Sequence, residues 1–342
     1  MKIQAIRRNI TSSIKAGLFY SGTFALFRRL RPHDGVAILR YHSVQRPEHN
    51  FYASPAIVLS PEDFERQVQY FVKNYNVISM DTVVECLKAG KPFLPNGIVF
   101  TFDDGYADNY YYAYKILKKY GATGTFYLTA GCIGNEQPLW LAEVHQLLRF
   151  TSQKGFEIVV DEVTHSYTLD GRMASVWCII GQVTWLIKSY PIETRKRILQ
   201  QLRDQLGYDE VQRKLPPIPV MLTWEQVREM TNNGMTAGGH TMTHANLPSA
   251  KPESAYEEIS LCKRVLEERL GVAVHHFSYP NGGCEQYFNA IIKTYVQQAG
   301  FLSATTSQEG HVRSACDSLM LPRIRTGREL YDIGYRLDID RA

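Results

Sequence analysis

Short apolar runs alternate with helical patterns along most of this 342-residue chain, and this alternation limits the fold more than any other feature. From about Val36 onward, runs such as "GVAILRY", "GIVFTF" and "TGTFYLTA" predict strands, and each is followed by a helical segment. The run "GIVFTF" is apolar on both faces, which is typical of a parallel strand covered by helices. Repeated strand–helix units over this length predict an α/β fold whose parallel sheet closes into a barrel.

The alternation is interrupted between two parts of the predicted barrel. Residues 135–215 contain helical patterns and a polar, hairpin-like stretch, and the proline-rich "LPPIPV" follows them as a stiff linker. We therefore predict a basic helical segment at 1–35, a barrel formed by 36–134 and 216–342, and a mostly helical insertion at 135–215. Three tryptophans of this insertion either line a ligand groove or form the insertion's own core: Trp140, Trp177 and Trp185.

The N-terminal segment is strongly basic. It carries seven Lys or Arg residues and no acidic residue up to Arg31, although the formal net charge of the chain is only +4. The rest of the chain is therefore slightly acidic, which argues against a nucleic-acid partner. Apolar residues recur here at steps of three or four: Ile3, Ile6, Ile10, Ile14 and Leu18. On a helix, this stripe predicts either peripheral contact with an anionic membrane or packing on the barrel.

Cysteine usage and the N-terminus also suggest where the protein acts. The six cysteines are scattered without a CxxC pair, which is typical of reduced thiols rather than of a disulfide framework. The apolar stretch from Ala16 to Phe27 is too short to span a bilayer and does not end like a signal peptide. We expect a cytoplasmic protein, which the N-terminal helix would hold at the inner face of the cell membrane. The sequence predicts no oligomeric state.

Polar residues follow several predicted strands at their carboxyl ends, where barrels of this kind gather reactive groups. Asp103 and Asp104 follow "IVFTF", His240 and His244 follow "GMTAGG", and His42 follows "VAILRY". Two imidazoles and one carboxylate form the ligand set with which zinc keeps a position open for water. Such an ion lowers the pKa of its water to about 7, and the second aspartate can then accept a proton from the attacking water. Otherwise the two aspartates would serve only to begin the next helix.

These motifs together resemble a known family. "TFDDG", "HTMTH", "FSYPNGG" and a late "LPRI" are similar to the motifs of the polysaccharide deacetylases, carbohydrate esterase family 4, which share the NodB-homology domain. The resemblance implies a distorted (β/α)7 barrel, here with a mostly helical insertion. It also implies Asp103 as the catalytic base and Asp104, His240 and His244 as the ligands of one divalent metal ion. Zinc is the expected ion, with cobalt, nickel, manganese and iron as alternatives.

One element of the family pattern, an arginine, is missing at its usual place. Many members carry this arginine in an "RPPYG"-like element, and aligning the proline and glycine places Ser278 at that position. We expect Arg323 of "LPRIR" to take its role, because a guanidinium beside Asp103 would keep that carboxylate ionised. The same alignment, and the tyrosine that follows the aspartates, give the expected substrate or oxyanion contacts: Tyr106, Tyr279, Pro280 and Asn281.

The C-terminal histidine that supplies the general acid in many members is also missing. His42 in "LRYHSV" resembles an early Tyr–His element of the branch that deacetylates poly-N-acetylglucosamine. We therefore expect His42 to protonate the departing amine, with His311 and His276 as alternatives.

The expected function is metal-dependent hydrolysis that removes N-acetyl groups from N-acetylhexosamine units of a bacterial glycan or a lipid-linked glycan precursor. The expected partner is thus an N-acetylated saccharide. Two alternatives stay open at this point: hydrolysis of non-sugar C–N bonds in amides or imides, and glycan binding by a degenerate site that lacks the missing family residues.

Overall fold

The computed structural model describes residues 2–135, 137–282 and 287–340, with side chains from Thr11 onward. The α-helices are α1 (Lys2–Tyr20), α2 (Thr23–Leu30), α3 (Pro61–Asn74), α4 (Met80–Ala89), α5 (Lys115–Lys119), α6 (Trp140–Phe150), α7 (Met173–Lys188), α8 (Ile192–Leu206), α9 (Tyr208–Lys214), α10 (Trp224–Asn232), α11 (Pro252–Leu270), α12 (Ala290–Gln298) and α13 (Leu330–Asp338). The strands are β1 (Val36–Tyr41), β2 (Ser43–Val44), β3 (Val58–Leu59), β4 (Asn76–Val77), β5 (Gly97–Phe102), β6 (Gly124–Leu128), β7 (Gly155–Val160), β8 (Val163–Thr168), β9 (Thr236–Gly239), β10 (His276–Ser278), β11 (Ser303–Thr305) and β12 (Ile324–Arg325).

Seven strands form a curled parallel sheet in the order β11-β10-β9-β6-β5-β1-β12, and β4 pairs with β5 beside this path. The backbone N–H of Leu321 donates to the carbonyl of Ala304 at 2.9 Å, which links the two ends of the sheet. The sheet is fully buried at β5, as the unbroken apolar run "GIVFTF" predicts. The structure thus confirms the expected distorted (β/α)7 barrel.

Local sequence signals begin and end the helices of the barrel. The Ser60 hydroxyl accepts a hydrogen bond from the backbone N–H of Asp63 at the start of α3. Thr223 and Gln226 form a capping box at the start of α10. Helix α11 ends at Gly271, whose φ of 69° is the left-handed conformation that glycine adopts without strain. These caps fix where each helix returns the chain to the sheet.

The helical segment that is predicted to follow "GIVFTF" is not a regular α-helix throughout. It begins as a π-helical turn at Asn109–Tyr114 and becomes α-helical only from Lys115. The side chain of Asn109 donates to the backbone carbonyl of His42 and to the Asp108 carboxylate, at 2.9 and 2.8 Å. These bonds tie the first turn to the end of β1, so tertiary contacts rather than helical periodicity set its conformation.

The insertion contains helices α6–α9 and the antiparallel β7–β8 hairpin. Its apolar side chains, among them Ile158 and Val183, form a cluster that also reaches Tyr106 of the barrel. Trp140 is buried, Trp177 is half-buried, and Trp185 is 60% exposed. Trp140 therefore belongs to the core of the insertion, whereas Trp177 and Trp185 remain accessible to a ligand.

The N-terminal helix α1 packs on the last helix of the chain. Lys15 forms an ion pair of 3.2 Å with Asp332 in α13. On the remaining surface of α1, Ile14 and Leu18 are 58% and 41% exposed. The helix therefore combines a packed side with an apolar exposed side, and both predictions for it stay open. The side chains of the other three members of the stripe lie outside the described ones: Ile3, Ile6 and Ile10.

Two further findings concern the described residues only. No helix within 2–135, 137–282 or 287–340 has the length and apolar character needed to cross a membrane. The cysteines of these ranges are free thiols, and Cys284 lies outside them.

Candidate active site and metal centre

The two adjacent aspartates leave the end of β5 in different directions because the backbone turns sharply between them. Asp104 has a φ of 78° and Gly105 a φ of 86°. A positive φ is unfavourable for a side chain other than glycine and persists only where surrounding contacts enforce it. The turn allows one carboxylate to meet the histidines of the next strands while the other stays near β1.

Asp104, His240 and His244 come together at the carboxyl end of the sheet. One carboxylate oxygen and one nitrogen of each ring all lie within 4.8 Å of one another, and all three side chains are buried. The Nε2 atoms of His240 and His244 lie 3.5 and 3.4 Å from Oδ1 of Asp104. Ligand atoms at 2.0–2.1 Å from a tetrahedral zinc ion are about 3.3 Å apart, so this donor set fits such an ion.

The "HTMTH" segment forms a turn rather than a helix. Thr241 and His244 have φ values of 64° and 53°, so the two imidazoles converge through left-handed residues and not through helical spacing. The insertion holds this turn in place. Trp140 Nε1 and Arg195 Nη1 each donate to the backbone carbonyl of His244 at 3.2 Å.

A backbone carbonyl orients the ring of His240. Its Nδ1 atom lies 2.7 Å from the carbonyl oxygen of Ser278, so this nitrogen carries the proton and donates. The Nε2 atom is then left with a free electron pair facing Asp104, as a metal ligand requires. Ser278, the residue at the position of the missing family arginine, thus contributes its backbone to the candidate metal centre.

Asp103 pairs with Arg323 and not with the histidine cluster. Nη1 and Nη2 of Arg323 donate to the two carboxylate oxygens of Asp103 at 2.7 and 2.8 Å, and its Nε donates to the carbonyl of Thr306. Burial alone raises the pKa of Asp103. The charge and hydrogen bonds of Arg323, together with the nearby His240 and His42, outweigh this effect and hold that pKa well below its usual value. The structure therefore places a guanidinium where the sequence analysis expected one.

His42 lies on the other side of Asp103. Its Nε2 atom is 3.8 Å from Oδ2 of Asp103, and its side chain is 23% exposed to the cavity. Burial lowers the pKa of His42 despite the two nearby aspartates. Of the alternatives, His311 stacks on His33, and His276 lies between Ser303 and Asp81; neither lines the cavity.

A cavity of about 560 Å³ lies above these groups, a size suited to a small ligand or one sugar unit of a chain. Tyr106 and Asn281 line it. Asn281 has a φ of 58°, and its backbone N–H donates no hydrogen bond within the described part of the chain. Tyr279 and Pro280 do not line the cavity, because the Tyr279 ring packs on Phe288 and its hydroxyl donates to Leu319.

Asp108, beyond the two adjacent aspartates, is also a buried carboxylate. It accepts hydrogen bonds from the Ser43 hydroxyl at 2.7 Å, the Val44 backbone N–H at 2.9 Å and the Tyr52 hydroxyl at 2.5 Å. Burial raises its pKa, although these donors oppose the shift. Since Ser43 and Val44 follow His42 directly, Asp108 anchors the segment that carries the candidate acid. No local sequence signal identifies this role.

Three basic residues that no sequence motif identifies also line the cavity: Arg40, Lys188 and Arg325. The Arg40 Nε atom is buried without a hydrogen-bond partner. Burial and the charge of Arg323 lower the pKa of Arg40 to about 10. Lys188 reaches the cavity from the end of α7, and burial lowers its pKa too. The cavity therefore presents positive charge to a ligand.

Comparisons with known proteins agree with this architecture. The family model described as "Polysaccharide deacetylase" matches residues 90–205 and 172–303. Among curated proteins, "Putative polysaccharide deacetylase YxkH" of Bacillus subtilis (strain 168) is 27% identical over 131 residues, or 38% of this chain. The match covers 43% of that relative, so the chain spans less than half of its length.

Solved structures show the same fold over most of the chain. The Streptococcus pyogenes deacetylase PplD in complex with acetate has a TM-score of 0.57 at 20% identity, covering 90% of this chain and 99% of that one. IcaB from Ammonifex degensii has a TM-score of 0.58 at 16% identity, covering 90% and 98%. At these identities the likeness concerns the fold alone.

Proposed function

The chain belongs to the polysaccharide deacetylase family, and on that premise we propose that it removes N-acetyl groups from N-acetylhexosamine units of a glycan or lipid-linked glycan precursor with the help of a divalent metal ion. One observation carries the proposal. The cluster of Asp104, His240 and His244 lines the same cavity as Asp103, which pairs separately with the buried Arg323. This division supplies a candidate metal centre and an ionised base that is not itself a ligand.

Each residue then has a distinct part in breaking the amide. Asp103 accepts a proton from the attacking water, whose oxygen bonds to the acetyl carbon. His42 receives this proton and delivers it to the nitrogen as the C–N bond breaks, so acetate and a free amine leave. The N–H of Asn281 donates to the acetyl oxygen as negative charge develops there. A divalent cation bound by Asp104, His240 and His244 would polarise the same carbonyl and acidify the water.

The proposal is tested by acetate release. Purified protein supplied with zinc or cobalt is incubated with N-acetylglucosamine oligomers and with lipid-linked N-acetylhexosamines, and free acetate and new amines are measured. Small acylated amines and cyclic imides serve as comparison substrates. Release from acetylated saccharides supports the proposal. Turnover of the small amides alone would support the non-sugar alternative, and saccharide binding without any turnover would support the degenerate binding protein.

The charge of the cavity supports a saccharide that carries phosphate, as a lipid-linked precursor does. Arg40 and Lys188 form no hydrogen bond or ion pair through their charged groups within the described residues, and both line the cavity. Cations that make no direct contact with a protein anion in a partly buried cavity favour an anionic group on the ligand.

We expect His42→Gln to lower kcat on N-acetylated saccharides by about 10²–10⁴-fold, the usual contribution of a general acid. The variant keeps a polar group of similar size but cannot deliver a proton. Deacetylation of an activated ester, whose leaving group departs without a proton, should lose much less. Equal losses of rate on the amide and the ester would show that His42 maintains the conformation of the site and does not donate the proton. Rates on both substrates provide the measurement.

Arg323→Met should shift the acid limb of the pH–activity profile to higher pH. Because Arg323 lowers the pKa of Asp103, its removal raises that pKa, and the base becomes protonated at a pH where the wild-type base is still ionised. Activity is then lost at a higher pH as the solution is acidified. The profile of kcat/KM against pH measures this shift, and Arg323→Lys, which keeps a positive charge, should show a smaller one. A uniform loss of rate with an unmoved limb would contradict the proposed role.

We also propose that α1 holds the protein at an anionic membrane surface, on the cytoplasmic side. The Lys15–Asp332 pair places the C-terminal half of α1 beside the start of α13. Helix α13 follows β12, which includes Arg325 of the cavity wall. We expect the protein to sediment with vesicles that contain phosphatidylglycerol and to be released by high salt. Ile14→Asn combined with Leu18→Asn should weaken this binding. Val163→Asn, an exposed site in the insertion, is the control; equal binding by all three proteins would rule out α1 as the anchor.

A further inference from the structure

Helix α7 of the insertion separates two grooves. One face of the helix lines the catalytic cavity, and its residues there follow helical spacing: Trp177, Ile180, Gly181, Thr184 and Lys188. The adjacent face, together with the β8 strand, lines an open groove on the outer surface, which we call the outer groove. Its residues are His165, Tyr167, Cys178, Gly181, Gln182, Trp185 and Leu186. Gly181 belongs to both sets, so the two grooves meet at this residue.

Nothing in the fold requires a glycine at position 181. An added Cβ atom there would meet no atom within 4 Å, and the residue lies within a regular helix. A glycine in the middle of a helix costs about 0.5–1 kcal/mol relative to alanine. Because glycine has no side chain, nothing projects from α7 at this position between the cavity and the outer groove. A bound chain could cross the helix at this point in close contact with its backbone.

Two tryptophans lie one helical turn on either side of this glycine. Trp177 and Trp185 are eight residues apart, or about 12 Å along the helix axis. The Trp177 ring is packed against His145 and Arg149 at the cavity. The Trp185 ring is 60% exposed, in a groove that also offers the polar groups of His165, Tyr167 and Gln182. An exposed indole surrounded by hydrogen-bonding groups suits the apolar face of a sugar ring and its hydroxyls.

We propose that the outer groove is a distal subsite for the same glycan chain whose N-acetyl group lies in the catalytic cavity, with the chain crossing α7 over Gly181 and one sugar stacking on Trp185. The proposal rests on the proposed function, and it narrows the substrate to an extended oligosaccharide rather than a single sugar. The continuity of the two grooves at Gly181 identifies the occupant as the substrate itself.

The first test is the dependence of rate on chain length. Wild-type protein and Trp185→Ala are compared on N-acetylglucosamine oligomers from the dimer to the hexamer. We expect kcat/KM of the wild type to rise with length, and Trp185→Ala to lose about tenfold on the hexamer while the dimer, too short to reach the outer groove, changes little. Leu94→Ala, at the opposite end of the barrel, is the control and should match the wild type. An unchanged length dependence in Trp185→Ala, or an equal loss on the dimer, would overturn the proposal.

The second test closes the crossing point. Gly181→Leu should raise or preserve the unfolding temperature, because leucine favours a helix, yet it should remove the advantage of long oligomers. Binding of the hexamer to Asp103→Asn protein, with and without Trp185→Ala, is measured by calorimetry and needs no turnover. Tighter binding with Trp185 intact supports the subsite even if no saccharide is deacetylated, in which case only the proposed function fails. Equal binding of the hexamer with and without Trp185 overturns the subsite. A loss of self-association in Trp185→Ala, measured by sedimentation, also overturns it, because the outer groove would then be an interface between two copies of the chain.

Discussion

Asp103→Asn is expected to lower kcat for acetate release by about 10²–10⁴-fold, which is the usual contribution of a general base. Asparagine has nearly the same shape as aspartate and can still accept a hydrogen bond from Arg323, but its amide cannot take a proton from water at neutral pH. The other carboxylate cannot replace it, because Asp104 faces His240 and His244. The steady-state rate of acetate release is the measurement.

The metal content of Asp103→Asn distinguishes a lost base from a lost ligand. Since Asp103 pairs with Arg323 and lies outside the ligand cluster, the variant should bind as much zinc as the wild type. Its unfolding temperature should also be recorded, because the exchange leaves the buried Arg323 without its counter-charge. A folded, metal-loaded variant with an unchanged rate would remove Asp103 from the mechanism. A rate loss accompanied by metal loss would make Asp103 a ligand.

Much of the fold could be predicted because it is encoded locally. The fully apolar "GIVFTF" gives a buried parallel strand, and signals such as the Thr223–Gln226 capping box begin helices within a few residues. Parallel strands place their carboxyl ends at one edge, so residues directly after them meet even when they are far apart along the chain. This rule predicts that Asp104, His240 and His244 lie close together, and the structure places them within reach of one ion.

The remaining features of the site depend on contacts between distant segments, which no local pattern encodes. The turn that presents His244 is held by Trp140 and Arg195 of the insertion, 104 and 49 residues away. The two histidines of "HTMTH" are four residues apart, a spacing that would place both on one face of a helix, but these tertiary bonds stabilise left-handed residues instead. Asp108 likewise anchors the segment after His42 through bonds that span 64 and 65 residues. The composition and periodicity of the sequence do not predict such hydrogen bonds between distant residues.

The insertion illustrates the same limit. Its tryptophans were ambiguous in the sequence, because an aromatic residue at helical spacing fits a core and a ligand groove equally well. The structure separates them: Trp140 is buried, and Trp185 faces solvent. Lys188, which ends α7, reaches the catalytic cavity only because α7 lies across it. The insertion is therefore part of the candidate site and not only a cover for it.

Removing a metal ligand is the second change for which we expect a large effect. His244→Ala deletes one of the three donors, and we expect it to lose the bound divalent ion during purification and to retain less than about 1% of the wild-type rate, as second-sphere changes alone cost 10–100-fold. Metal analysis of the purified protein should find about one zinc per wild-type chain and none per variant chain. His49→Ala, an exposed histidine outside the cavity, is the matched control and should keep both metal and activity.

A thermal shift provides a readout of the metal site that does not depend on activity. An ion that binds only the folded protein stabilises it by about 2.7 kcal/mol at a concentration 100 times its Kd, so zinc should raise the unfolding temperature of the wild type and of His49→Ala. His244→Ala should show no such rise. Acidification should reduce the rise in the wild type, because protons compete with the ion for the two imidazoles and the Asp104 carboxylate. If zinc stabilises His244→Ala as strongly as the wild type, the ion binds elsewhere, and Asp104, His240 and His244 must be explained as a buried hydrogen-bonded cluster.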